Sequence, residues 1–298
     1  MATPPPVTVG LPVYNGEAHL PGALERLLGQ TYGDFVLLIA DNASTDGTQE
    51  LCRQAAAEDA RVRYVRHEEN RGALGNFNFV AEQARSPLFR FASHDDLVDP
   101  TMLERCVEAQ RAEPDAVLWF PRAVEIDEEG VVLGSFDDSL QLLSPYPHRR
   151  LRTFLDRYEN SNCLFGLMRT DALTSTRLMG DFLSADVVLL AEIALRGRFI
   201  EVPERLFQRR WRQRSAPPDK DASEVARYYG MSETARLSLR RSRRFAEYGR
   251  GILAAPLDPA EQARCLWELG ASWGPRYGRT MLGEVKAVTI AAARQYMS

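Results

Sequence analysis

Residues 35–48 read FVLLIADNASTDGT. The run is apolar until Asp41, which suits a strand buried on both faces at the centre of a parallel sheet. From Asp41 to Thr48 it becomes turn chemistry, and Ser44 to Asp46 can cap a helix over 47–58. The same alternation continues outward on both sides. VTVGLPVY (7–14) precedes a helix over 17–29, VRYVR (62–66) precedes one over 73–84, and LFRFAS (88–93) precedes one over 100–112 that opens with the helix-starting pair Asp99-Pro100; AVLWFPR (116–122) follows. Strand alternating with helix predicts an α/β fold, a mostly parallel sheet flanked by helices.

With 298 residues, 45% hydrophobic and 26% charged, the chain has material for a sizeable core. Its net charge of -4 gives no overall cationic field for nucleic acid. The four cysteines, Cys52, Cys106, Cys163 and Cys265, form no CxxC pair and read as reduced, buried thiols. The start carries no basic segment followed by an apolar one, and no run approaches the roughly 20 apolar residues of a bilayer span, so a cytoplasmic protein is expected.

In such sheets ligands bind beyond the carboxyl ends of the strands. That selects three loops: PVYNGE (12–17), DNASTDGT (41–48) and SHDD (93–96). A dinucleotide-binding glycine loop after strand one is absent, and so is the GxxxxGK[ST] phosphate loop. Carboxylates accept N–H and O–H donors, so Asp41 suits a base or a ribose while Tyr14 can lie against a base face. Asp95 and Asp96 cannot both ionise cheaply side by side without a positive partner. A divalent cation with hard oxygen ligands, Mg²⁺ or Mn²⁺, supplies one; solvated helix-capping carboxylates are the alternative.

Together these stretches resemble the family 2 inverting glycosyltransferases. The first 48 residues carry the family's P-x-Y-N, Q-T-Y and D-[DN]-x-S-x-D-G-T pattern, ENRGALGNFN (69–78) is similar to its N-x-G-x-x-x-x-x-N segment, and SHDD falls on its D-x-D-D metal motif. The resemblance covers about 120 residues and continues more weakly to about 215. It implies a Rossmann-like GT-A fold with nucleotide contacts at Pro12, Tyr14, Asn15, Asp41, Asn42, Arg71, His94 and Asp95. It also implies a Mn²⁺ or Mg²⁺ ion at Asp95 and Asp96. Ser93 stands where the first carboxylate of the motif usually is.

SADVVLLAEIALRGRF (184–199) is similar to the family's E-D-x-x-x-x-x-R-x-x-x-x-G segment, with Ala185 in place of Glu, and this puts Asp186 at the catalytic base. A helix N-cap is the other reading of Asp186. RRWRQRS (209–215) supplies cations for a leaving diphosphate: by the resemblance Arg210 and Arg212 contact phosphate, Arg212 standing where a histidine is usual. The resemblance thus implies a hexosyltransferase-like enzyme that moves a sugar from a UDP- or dTDP-type donor to an acceptor hydroxyl. The departures at Ser93, Ala185 and Arg212 leave a non-catalytic nucleotide-sugar-binding or scaffolding protein as the alternative.

The expected organisation is a GT-A domain over 1–217, divided into a nucleotide-binding half (1–123) and an acceptor half (124–217), then a helical region over 218–298. Breaks in that region are expected near APLDP (255–259) and SWGPRYG (272–278). Its basic residues interleaved with Leu, Phe and Tyr suit an anionic membrane surface or a lipid-linked acceptor; helices packed on the catalytic domain or across a homodimer are the commoner use of such a pattern. Polysaccharide and natural-product acceptors both remain open.

Overall fold

Strands β1 (Val7–Val13), β2 (Phe35–Asp41) and β3 (Val62–Arg66) run parallel, and their register sets Val13 beside Asp41 and Asp41 beside Arg66. Their carboxyl ends therefore reach one edge together, which is what lets three separate loops share a site. The computed structural model describes residues 6–136, 140–160, 162–210 and 239–296. Helices α1 (Leu20–Leu28), α2 (Thr48–Glu58) and α3 (Gly72–Glu82) make the crossovers, and β4 (Leu88–Phe91) adds to the other side of β1 in parallel. Helix α3 packs closely because Gly10 of β1 has no side chain: a Cβ there would stand 2.8 Å from Phe89 and 2.9 Å from Val80.

After β4 the chain makes a two-residue strand, β5 (Leu97–Val98), then α4 (Met102–Ala112), β6 (Leu118–Ile126) and β7 (Val132–Ser135). Asp99 does not cap α4 directly. Its Oδ1 takes the Thr101 N–H and hydroxyl, making a turn ahead of a helix that starts at Met102. The turn DEEGVV (127–132) joins β6 to β7 as a hairpin. Then come α5 (Pro147–Arg157), a 3-10 turn (Asn162–Phe165), β8 (Leu167–Arg169), α6 (Thr170–Thr174), α7 (Ala185–Arg196) and β9 (Phe199–Arg210).

The nine strands among the described residues form one sheet in the order β3-β2-β1-β4-β8-β6-β9-β5, with β7 on β6. The sheet is mixed. Its first half is parallel, as expected, but β8 joins β4 and β6 antiparallel and β5 joins β9 antiparallel. The β5–β9 pairing pulls the SHDD loop toward the end of β9, far from it in sequence.

Two helices close the described chain, α8 (Arg240–Ala254) and α9 (Pro259–Tyr296). They share a core with the preceding domain: Tyr248, Ile252, Cys265, Leu269 and Trp273 belong to one buried cluster with Phe154, Leu189 and Ile193. The break expected at 255–259 separates them. The one expected at 272–278 does not occur, and Pro275 lies inside α9. Packing overrides the proline there. Trp273 is buried against Tyr248 and Tyr277, and Arg276 donates to the Leu155 carbonyl of α5. All four cysteines are buried free thiols. No helix among the described residues is long and apolar enough to cross a membrane.

The junction of α7 with α8 is ionic at its centre. Arg177 donates to Glu192 of α7 at 2.8 Å and to Glu247 of α8 at 2.9 Å, and the two carboxylate side chains are only 2% and 6% exposed. Removing one partner from such a group strands the other charges away from water. Arg177→Met is expected to lower unfolding stability by about 3 kcal/mol or more. Urea unfolding measures it, and a loss below about 1 kcal/mol would contradict this role for the cluster.

Candidate active site

A cleft of about 720 Å³ opens where the carboxyl ends of β1, β2 and β4 meet the first turn of α7. One end is lined by Pro12, Val13 and Tyr14 after β1, by Asn42 and Asn70, and by Ser93, His94 and Asp95 after β4. The lining also includes Tyr158, Phe182, Ser184 and Asp186, and Arg209 of β9. Of the residues expected from sequence, the cleft brings together Pro12, Tyr14, Asn42, His94, Asp95 and Asp186.

Each is held by backbone chemistry that the local sequence dictates. Asn15 has a left-handed φ of 49°, and its side chain accepts the Thr45 N–H at 2.8 Å while its own N–H donates to the Ser44 hydroxyl at 3.0 Å. Asn15 thus clamps the first two loops together and does not line the cleft. The next residue admits His94: a Cβ on Gly16 would lie 2.9 Å from the imidazole Cδ2 and 2.7 Å from Val13. Asn42 spends its side chain on the loop before α3, donating to Asn70 at 2.8 Å and accepting the Arg71 N–H at 2.8 Å. Arg71 contributes that amide, while its guanidinium lies 5.7 Å from the Phe79 ring and outside the cleft lining.

Asp41 stands behind the cleft, completely buried. One oxygen accepts the Ser44 N–H at 2.9 Å, and the other accepts the Tyr64 hydroxyl at 2.9 Å, with Arg66 at 3.4 Å. Burial, with that hydrogen bond next in weight, pushes the Tyr64 phenol well above its usual range. His67 is likewise a support. Asn76 donates its amide to the Ala40 carbonyl at 2.8 Å, so its carbonyl faces His67 Nε2, and burial lowers the imidazole pKa. The neutral ring with a proton on Nε2 satisfies that pair.

The adjacent aspartates divide their work. Asp95 lines the cleft and accepts the Ser93 hydroxyl, so the residue at the unusual first position of the motif supports the second. Asp96 does not line it. Its Oδ1 takes the Arg210 N–H at 2.9 Å. Arg90, 1% exposed on β4, lies nearby: burial pulls its pKa down to about 10.

Arg210 is occupied too. Its guanidinium donates to the carbonyls of Asp95 at 2.9 Å and of Asp127 and Glu128 at 2.5 Å each. The cation that reaches the cleft is the preceding Arg209, bonded to Asn162 at 3.1 Å. Arg212 lies outside the described residues. Among the described residues no group of three or more His, Cys, Asp or Glu side chains could hold a metal ion. What the cleft offers is the Asp95 carboxylate, which fits a cation shared with phosphate oxygens and water but not a protein cage.

Asp186 lies in the first turn of α7, after Ser184, whose φ of 67° is left-handed. No side chain caps this helix, so the sequence alternative of an N-capping Asp186 is not what the helix start displays. Sequence reasoning missed Asn70, Tyr158, Arg240, Arg241, Arg244 and Tyr277 in the lining. For the arginines a signal existed, the basic run RRSRR at 240–244, but no sequence pattern directs it to this cleft.

A mixed α/β sheet with a cleft at its strand ends, closed by a helix start carrying a carboxylate, defines a GT-A-type domain. The chain belongs to the family described as glycosyl transferase family 2, whose model matches residues 8–172. It is 29% identical over 113 residues to the glycosyltransferase GlyG of Streptococcus pneumoniae, 38% of each chain. The curated relatives it matches are covered over well under half of their length. Among solved structures the fold is similar to S. aureus TarS in complex with UDP-GlcNAc, with a TM-score of 0.64 at 15% identity over 91% of this chain and 73% of that one. It is also similar to the mannosyltransferase PcManGT of Pyrobaculum calidifontis in complex with GDP-Man and Mn²⁺, with a TM-score of 0.57 at 17% identity over 97% and 75%.

The tight fit at Gly16 gives a direct test of how the loops hold His94. Gly16→Ala is expected to destabilise the fold by about 1–3 kcal/mol through overpacking against Val13 and His94. Urea unfolding checks it, and an unchanged midpoint would contradict the close approach.

Proposed function

We propose that the chain transfers a sugar, with inversion, from a nucleoside diphosphate sugar of UDP or dTDP type to an acceptor hydroxyl. The observation that carries this is one cleft lined by Tyr14, Asp95, Asp186 and Arg209, which come from four distant parts of the sequence. Family membership supports the reaction class, and the UDP-GlcNAc and GDP-Man carried by the two structural neighbours support the donor class.

In this reading the base and ribose lie at the end formed by Pro12, Tyr14, Asn42 and His94, with the half-exposed Tyr14 ring offered to the base face. Asp41, Asn15, Arg71 and Asp96 act behind this surface as loop supports. Arg209 and Asp95 take the diphosphate end. Asp95 is the residue that would hold a Mn²⁺ or Mg²⁺ ion, which would supply positive charge against the leaving diphosphate.

Asp186 accepts the acceptor's hydroxyl proton as that oxygen attacks the anomeric carbon. The bond from that carbon to the diphosphate oxygen breaks on the opposite face, and its electron pair leaves with the nucleotide. Arg209 is already in place where that charge gathers, so no reorganisation is needed during the step. Residues 1–217 serve in this account as the GT-A domain, with the helices after 218 completing the cleft.

Calorimetry with UDP and dTDP, with and without Mn²⁺, tests the donor end. Binding of one nucleotide is expected to strengthen with Mn²⁺, and Asp95→Ala is expected to lose at least ten-fold in affinity, about 1.4 kcal/mol. Equal affinity in both proteins would contradict the role of Asp95. Failure of the natural protein to bind either nucleotide would contradict the donor class.

A further inference from the structure

The cleft does not end at Asp186. It continues onto α8 and α9, where Arg240, Arg241, Arg244 and Tyr277 complete its wall beyond the region matched by the family model. Arg244 donates one Nη2 proton to the hydroxyl of Ser184, two residues before Asp186, while its Nε–H is buried with no hydrogen-bond partner among the described residues. A guanidinium has five such donors, and a buried one left unmatched is unfavourable. Arg241 lies with its guanidinium 4.2 Å from the Tyr277 ring centre. Arg240 is exposed. Arg243 has a different task, donating to the Asp181 carbonyl at 3.1 Å and standing 5.6 Å from the Phe182 ring.

Charge makes this arrangement informative. All four arginines occupy the first turn and a half of α8, which has no acidic residue in its first turn. Cations there oppose the positive end of the helix dipole and one another. Glu284 offsets part of this by accepting the Arg241 and Ser242 N–H groups at 3.0 and 2.9 Å. The cleft lining holds four arginines, Arg209, Arg240, Arg241 and Arg244, against three carboxylates, Asp95, Glu159 and Asp186. Among the described lining residues the surplus is positive, and Arg244 reaches Ser184, two residues from Asp186.

We infer that Arg240, Arg241 and Arg244 form an acceptor subsite for an oxyanion, so that the acceptor carries a phosphate or carboxylate close to the hydroxyl it presents to Asp186. Guanidinium groups match both oxyanions bidentately, and Tyr277 adds a face for the acceptor's carbon skeleton. The inference rests on the reading of Asp186 as the base, because the group beside the base is by definition the acceptor. It also gives the basic run of α8 an inward role.

The test uses the full chain saturated with UDP and Mn²⁺, titrated calorimetrically with glycerol 3-phosphate, glucuronate and glycerol. At least one anion is expected to bind while glycerol does not, and which anion binds tells phosphate from carboxylate. In Arg240→Gln/Arg244→Gln that binding is expected to weaken at least ten-fold, with UDP affinity within two-fold of the natural protein. Arg244→Lys, which keeps the charge, is expected to retain part of it. Equal binding of glycerol, or anion binding unchanged in the double variant, overturns the subsite. Loss of UDP binding in the double variant assigns the arginines to the donor and also overturns it. If the natural protein binds no UDP, the donor reading itself falls, and the acceptor role with it.

Discussion

One guanidinium, that of Arg210, ties the site together. It donates to the carbonyls of Asp95, Asp127 and Glu128, while the backbone N–H of the same residue donates to the Asp96 carboxylate. These groups belong to the loop after β4, the turn between β6 and β7, and the end of β9. The antiparallel pairing of β5 with β9 makes the contact geometrically available, setting Leu97 beside Gln208 and Val98 beside Phe207. Because a charged donor bonds more strongly than a neutral one, the clasp fixes Asp95 at the cleft instead of leaving it on a mobile loop.

The same economy runs through the cleft. Polar side chains that look ready for a ligand in one dimension are largely spent on one another. Asn15 and Ser44 join two loops, Asn42 and Asn70 join two more, and Asp41 is saturated by an amide and a phenol. Among the described residues, the groups that line the open volume include several aromatic rings, a histidine, three carboxylates and four arginines. Hydrogen-bonded supports beneath the lining side chains are what keep a binding surface preorganised.

Much of this was legible in the sequence. Alternation of apolar runs with amphipathic stretches located β1 through α4, because strand and helix periods differ and each buries one face. The loops at strand ends followed, and with them Tyr14, Asp95 and Asp186. What sequence could not supply was the use of each oxygen and nitrogen. Asp41 and Asp96 read as ligand-facing carboxylates, yet Tyr64, the Ser44 amide and the Arg210 amide hold them, and these come from neighbouring strands or turns. Arg210 and Arg209 differ by one position on a strand, so they point to opposite faces, and periodicity alone could not say which faced the cleft. The unbroken helix at Pro275 has the same origin: burial of Trp273 against Tyr248 outweighs a local breaker.

The central claim is that Asp186 removes a proton while the nucleotide leaves from the opposite face. Water can replace the acceptor, so slow hydrolysis of a nucleotide sugar followed by proton nuclear magnetic resonance reads the claim without knowledge of the acceptor. The account predicts that the natural protein first releases the anomer opposite to that of the donor. It also predicts that Asp186→Asn abolishes this release while binding UDP within two-fold of the natural affinity. Release of the same anomer as the donor, or hydrolysis at the natural rate by Asp186→Asn, would contradict it.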